Sequence, residues 1–326
     1  MCLPKRGSFL FLVCFFAVLT NGENRELARG VVTNDSSAIV IKQFLQIGAD
    51  EGPAFNNCRL NAVIGGFSAM YLGYMSYLQY VWYKDKERVS FHFYNDFKGY
   101  NQMDKFGHAY GAYLMSYAGF KSLRWAGISR SKAAIYGAGM GFLLQMPIEV
   151  WDGMYEGWGF SWSDVGANAA GSLLFCAQEL IFQEQIVTYK FSFSPSPYAK
   201  QANGYLGSGF NQMMKDYNGH TYWVSIGVNK IVPRLGAPDW LNLAIGYSAG
   251  GMFGEFENME SYKGVSIPET QRYRQFLLSF DIDLSKIKTR NQLLEKILDN
   301  MFIVKVPFPT LEWNTKKDMR LHLLYF

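Results

Sequence analysis

Between residues 104 and 168 the chain places six polar side chains at helical spacing inside segments built mainly from Ala, Gly, Leu and Met. Asp104 and His108 fall one turn apart, Glu149 and Asp152 nearly one turn apart, and Asp164 and Asn168 again one turn apart. Burying such groups without partners costs several kcal/mol apiece, roughly. They must therefore either fasten helices to one another or converge on a site.

The surrounding pattern is helical up to about residue 187. Residues 60–83 carry no charge, and the run exceeds the roughly 20 residues needed to cross a bilayer. The same run suits the buried central helix of a soluble bundle, and both readings stand at this level. A second helix is expected over 104–123 and a third over 131–146. Pro147 removes a donor and crowds the carbonyl of Leu143, which predicts a kink or restart. Ser161 and Asp164 have capping-box spacing and open a fourth helix running to about 182. Small residues recur four apart at Gly107 and Gly111, Gly137 and Gly141, and Ala167 and Gly171, a spacing that lets helix backbones approach closely.

Beyond 187 the pattern alternates instead. Strands are expected over 187–193, 222–232, 241–248, 273–284, 302–306 and 320–326, with an amphipathic helix over 289–301. In the 273–284 strand, Phe276, Leu278 and Phe280 share one face, and Ser279 and Asp281 the other. The chain is thus expected to be α+β. A four-helix apolar bundle over 55–186 precedes a smaller, mostly antiparallel β region over 187–326. The terminal Phe326 is similar to the last strand of outer-membrane barrels, but five or six strands fall short of the minimum of about eight. A sheet in the periplasm or at a membrane surface is expected.

Lys5 and Arg6, the apolar run 9–19 and polar residues from Thr20 onward have the layout of a signal peptide over 1–20. Phe11, Leu12 and Val13 before Cys14 lack the small residue that a lipoprotein cleavage site places next to its cysteine. Cys58 and Cys176 sit in apolar contexts and are expected to be core thiols, with no disulfide framework. A net charge of +4 and evenly spread aromatic residues argue against nucleic acid as a partner. No nucleophile elbow, phosphate loop, His-Glu-x-x-His or paired Cys-x-x-Cys occurs, so no motif supports a hydrolase, a nucleotide site or zinc.

His108 with Asp104 reads as a general base oriented by a carboxylate, as half of a metal site, or as a histidine hydrogen-bonded in a bundle interior. No second His stands near it, so neither metal nor cofactor is expected. Lys105 is expected to point outward or snorkel, or to pair with Glu149 or Asp164. Glu149 and Asp152 mark either a site beside the Pro147 kink or the solvent-facing end of the helix. Buried near Asp164, at least one of them would become an acid titrating near neutral pH. Asp164 caps the fourth helix with Ser161. Asn168 is expected to bond across to another helix near His108. Residues 216–223, with a turn at Asn218-Gly219, form a sugar- or lipid-contacting loop or a hairpin edge packed on the bundle. His92 and His322 are taken as structural.

Three stretches together resemble a known family: Asp104-Lys105-Phe106-Gly107-His108, then Glu149-Val150-Trp151-Asp152-Gly153, then residues 161–171 from Ser161-Trp162-Ser163-Asp164 through Asn168 to Gly171. They look like the YfiM-like predicted periplasmic lipoproteins of bacterial envelopes, and residues 215–223 and 240–247 are similar to longer members. The order Asp-Lys-x-x-His, Glu, Asp-x-x-x-Asn is also similar to VanZ-like membrane proteins over about 104–174. The resemblance implies location and architecture rather than a mechanism, and the missing lipoprotein cleavage site departs from it. The expected function is that of an exported envelope protein, located in the periplasm or outer membrane, with membrane or envelope lipid as its partner. Its polar cluster then serves to fasten helices. The alternative is a membrane-associated enzyme or binding protein acting on a lipid or lipid-linked sugar through His108 and the carboxylates.

Overall fold

The computed structural model describes residues 53–326, so the expected leader over 1–20 and Cys14 lie outside the described residues. Helix α1 (Asn57–Leu78) starts where Asn56, in extended conformation, accepts the N–H of Arg59. It ends in a π-helical turn over Gln79–Tyr83. Only one face packs: Leu60, Val63, Tyr71, Met75 and Leu78 are buried, while Met70, Leu72 and Tyr80 are exposed. The uncharged run is therefore not the buried centre of a bundle. Cys58 is exposed rather than a core thiol, and Cys176 is half-buried.

The centre is α2 (Met103–Trp125), which packs on α3 (Arg130–Asp152) and α4 (Trp162–Ile181). The four-residue spacing of small side chains explains how closely. A Cβ at Gly141 would overlap the Ala112 carbonyl of α2, and one at Gly171 would overlap the Ala109 carbonyl. The restart expected at Pro147 does not occur, because α3 continues through it to Asp152. One lost hydrogen bond is outweighed there by tertiary packing, with Glu149 fully buried and Ile148 and Trp151 against the core. Among the described residues α3, not the 60–83 run, is long and apolar enough to cross a membrane by length and composition, with 44% of its apolar window buried inside the molecule.

The rest is mostly antiparallel sheet, and the protein is α+β. Strands β1 (Val187–Phe193), β2 (His220–Gly227), β3 (Leu241–Gly250), β6 (Tyr273–Ile282), β7 (Phe308–Asn314) and β8 (Met319–Tyr325) form one six-stranded sheet in the order β1-β2-β3-β6-β7-β8. β4 (Ser261–Tyr262) and β5 (Val265–Ser266) make a separate hairpin. Three short helices accompany the sheet: α5 (Phe210–Lys215), α6 (Val228–Ile231) and the amphipathic α7 (Gln292–Asn300). The expected 302–306 strand is reduced to Val304 bridging Phe191, and β7 is a strand that alternation alone did not reveal. Pro307 and Pro309 obscured it, since proline is confined to edges and strand starts.

Alternation along the sheet is as expected, and outside the part that meets the helices its apolar side faces outward. Ile245, Phe276, Leu278, Leu311, Trp313 and Leu321 share one face through the strand register, and all are exposed. The opposite face buries Lys190, Ser225, Asn242, Ser279, Asp281 and Thr310. Curling of the sheet shuts that polar face in: Tyr325 of β8 reaches Thr221 of β2 at 3.3 Å and meets the ring of Trp223. Inside, the Lys190 ammonium lies 2.6 Å from Asp281, with Lys305 3.7 Å away on the other oxygen, all three side chains fully buried. The β1–β3 part of the apolar face carries Tyr189, Phe191, Tyr222 and Tyr247, which stack against Phe106 and Tyr110 of α2. Helices and sheet thus share one core, which runs from Tyr113 and Phe175 to Tyr222, Ala249 and Met252.

Candidate functional site

All six polar residues singled out in the sequence come together where α2, α3 and α4 meet. His108 sits at the middle. Its Nδ1 faces the Asn168 amide oxygen at 3.2 Å and the Glu149 carboxylate at 3.3 Å, while Nε2 faces Asp104 at 3.8 Å and Asp164 at 4.0 Å. The Asn168 amide oxygen is the hydrogen-bond partner of Nδ1. Asn168 bonds across to α2 as expected. Asp152 lies one turn beyond Glu149 and accepts the Tyr83 hydroxyl at 2.6 Å.

Lys105 does not point outward. It is buried, its ammonium 2.6 Å from Asp164, 2.8 Å from Asp96 and 3.0 Å from Asp104. Of the two pairings expected for it, the structure brings the one with Asp164. Ser161 caps α4 by accepting the Asp164 N–H at 3.2 Å, and it donates to Asp96 at 2.6 Å. The Asp164 carboxylate is turned inward to Lys105, so its part in the cap is through the backbone. Glu149 is wholly buried, which excludes the solvent-facing reading for it.

The helix N-terminus that delivers Asp104, Lys105 and His108 is held by an unusual turn. Tyr100, Asn101 and Gln102 all have left-handed backbone angles, with φ of 46°, 53° and 65°. Each costs about 1–2 kcal/mol in an L-residue, which surrounding contacts must offset. Tyr247 and Arg274 supply them, both donating to the Asn101 carbonyl, at 2.5 and 3.1 Å.

A cavity of about 520 Å³ opens beside this cluster. Asp96, Asp104, His108, Asp152 and Asp164 line it, together with the rings of Tyr74, Trp82, Tyr100, Trp158, Tyr217 and Tyr222. Residues 216–223 pack against the helices and also form cavity wall. Tyr217 donates to Asp104 at 2.8 Å, and buried His220 sits between the Tyr222 hydroxyl at 3.1 Å and the Met213 carbonyl at 2.7 Å. Burial pushes His220 down to about 4, so it is neutral. Sequence reasoning missed Asp96, and Glu255 on the cavity wall, because both lie in irregular segments without periodicity. His322, taken as structural, pairs with Glu312 at 2.7 Å, far along the sheet in β7.

The electrostatics follow from five crowded carboxyls in a largely dry place. Burial is the main cause that lifts Glu149 to about 9, with His108 opposing and Asp164 reinforcing. Burial also lifts Asp152 to about 7 against the pull of Tyr83, and Asp164 to about 7 with help from Asp104. Asp104 goes the other way: burial would raise it, yet His108 and Lys105 hold it at about 2. Burial alone would lower His108, but Asp164, Asp104 and Glu149 outweigh it and lift the imidazole to about 9. The wall therefore offers acceptors for hydroxyl or amine donors beside groups that exchange protons near neutral pH.

The segment that builds this cluster is the part of the chain with a known relationship. Residues 92–177 match the family described as predicted periplasmic lipoprotein (DUF2279). The match takes in Asp96, Lys105 and all six residues of the cluster, and it stops before β1. It bears out the resemblance to predicted periplasmic lipoproteins over the helical segment and supports an exported protein of the cell envelope. Neither the curated proteins nor the solved structures contain a match to the chain.

Proposed function

We propose that this envelope protein rests against a membrane and receives the sugar-bearing head of a lipid in its cavity. One observation carries the reading: Asp104, His108, Asp152 and Asp164 of the polar cluster line a cavity of about 520 Å³. Groups that served only to fasten α2, α3 and α4 together would be packed solid, since a void beside them forfeits contacts. Carboxylates beside aromatic rings suit a polyhydroxyl ligand, because the rings stack on its C–H faces and the carboxylates accept its hydroxyls.

The outward apolar side of the sheet supports the membrane half. Ile245 at 62% exposure, Leu321 at 71% and Leu323 at 80% face outward beside Phe276, Leu278 and Phe280, while charged residues are sealed inside. A face of this kind is stable next to lipid and costly in water. Two measurements test the two halves separately. The full chain is expected to float with phosphatidylethanolamine–phosphatidylglycerol vesicles, and Leu278→Ser with Leu321→Ser is expected to weaken flotation without changing circular dichroism. Fluorescence of Trp82 and Trp158 is expected to respond to a glycolipid headgroup in the parent protein, and not after Asp152→Asn. Wild-type protein that stays at the bottom of the gradient overturns the membrane half, and a silent titration overturns the cavity half.

A further inference from the structure

We propose that Asp104, His108 and Asp164 bind one divalent transition-metal ion, of the zinc or manganese class, on the wall of the cavity. The absence of a second histidine pointed away from metal in the sequence, but folding supplies carboxylates from two helices instead. One oxygen or nitrogen from each of the three side chains lies within 4.8 Å of the others. The His108 Nε2 is 3.8 Å from Asp104 and 4.0 Å from Asp164. A tetrahedral ion with bonds of about 2.1 Å sets its ligands about 3.4 Å apart, so small side-chain rotations close the set.

A second observation, outside the ligand set, points the same way. Glu149 is fully buried, and the polar group set against its carboxylate is the His108 ring, in ion-pair contact rather than a hydrogen bond. Its Oε1 stands 3.3 Å behind the His108 Nδ1, beside the Asn168 oxygen at 3.2 Å. A carboxylate and an amide oxygen behind one ring nitrogen, with the other nitrogen aimed at two carboxylates, is how proteins orient a metal-bound histidine. The three ligands line the cavity, whereas Glu149, Asn168 and Lys105 do not. That leaves coordination positions open toward the cavity for water or a ligand oxygen.

Lys105 leaves room for the ion. Asp96, Asp104 and Asp164 share its single ammonium. Lys105 engages Asp104 through Oδ2, on the far side from the Oδ1 that faces His108. It shares Oδ1 of Asp164 with the proposed ion and so holds that carboxylate in place. This assignment depends on ligand geometry and not on whether the cavity takes a glycolipid.

The test uses the untagged full chain stripped with chelator, titrated with Zn²⁺ and with Co²⁺ at pH 7.5. One ion per chain is expected, with visible Co²⁺ bands. Imidazole ¹⁵N spectra are expected to show the His108 Nε2 shifting on Zn²⁺ addition while Nδ1 stays protonated. His108→Gln is expected to abolish stoichiometric binding. Glu149→Gln, which removes no ligand, is expected to weaken it by about 10–100-fold. Glu295→Gln, on the exposed helix α7 where Glu295 pairs with Lys288, is expected to bind as the parent does. Should His108→Gln fail to fold, the wild-type ¹⁵N spectrum decides. Folded wild-type protein that takes up no ion, or that binds with no change at the His108 Nε2, overturns the proposal.

Discussion

Lys105 shows how much one side chain controls at the site. Its ammonium is the common partner of Asp96, Asp104 and Asp164, so removing it leaves buried carboxylates without a counter-charge. Lys105→Met is expected to destabilise the fold by about 3–5 kcal/mol, measured by denaturant unfolding, and a loss below about 1 kcal/mol would contradict the hub. The neighbouring titrations predict a pH dependence with a definite sign. Glu149, Asp152, Asp164 and His108 all hold protons more tightly folded than unfolded. Each contributes fully below its unfolded value, roughly 4 for the carboxyls and 6.5 for the imidazole. That contribution is lost as pH rises through about 7 for Asp152 and Asp164 and about 9 for Glu149 and His108. Asp104, held at about 2, acts oppositely, but only in acid. In chelator, the melting temperature is expected to fall between pH 5 and pH 9, and Glu149→Gln to flatten the upper part of that fall. A melting temperature that rises over this range would refute the assignment. The convergence of Asp104, His108, Glu149, Asp152, Asp164 and Asn168 was legible in the sequence, because isolated polar groups in apolar helices need one another. Lys105 was not, since an outward or snorkelling lysine and a buried one look alike until its neighbours are placed.

At the scale of elements, close contact between helices sets the geometry that the site needs. α4 touches α2 at Gly171, where a side chain would meet the Ala109 backbone, one residue past His108. Gly171→Ala is expected to cost about 1–3 kcal/mol, because backbone cannot yield as a flexible side chain does. Gly166→Ala, on the open face of the same helix with nothing within 4 Å, is expected to stabilise by about 0.5–1 kcal/mol. Thermal unfolding of the pair checks the contrast, and equal effects would show that α4 does not approach α2 as closely as described. Helix positions were readable from spacing and caps, as the start of α4 at Ser161 shows. Passage of α3 through Pro147 was not, because the local cost of proline is outweighed by packing that no local pattern contains.

In the whole molecule, helices and sheet are joined through α2, whose Phe106 and Tyr110 stack on Tyr222, Tyr247 and Phe191. A chain ending at residue 186 would lose Tyr189, Tyr222, Ala249 and Met252 from the shared core. It is expected to melt without a cooperative transition by circular dichroism, whereas the full chain unfolds as one unit, and a sharp transition in the truncated chain would contradict a shared core. The sequence by itself determined the α+β order, the cap of α4 at Ser161, the alternation of the strands and the six residues first placed in the polar cluster, because these follow from periodicity and from the cost of lone buried charge. Only the tertiary structure decided that the cluster opens on a cavity, that Asp96 and Lys105 join it, and that the sheet faces its apolar side outward. Alternation separates two faces but carries no sign: which face is inside depends on how the sheet curls and on what covers it.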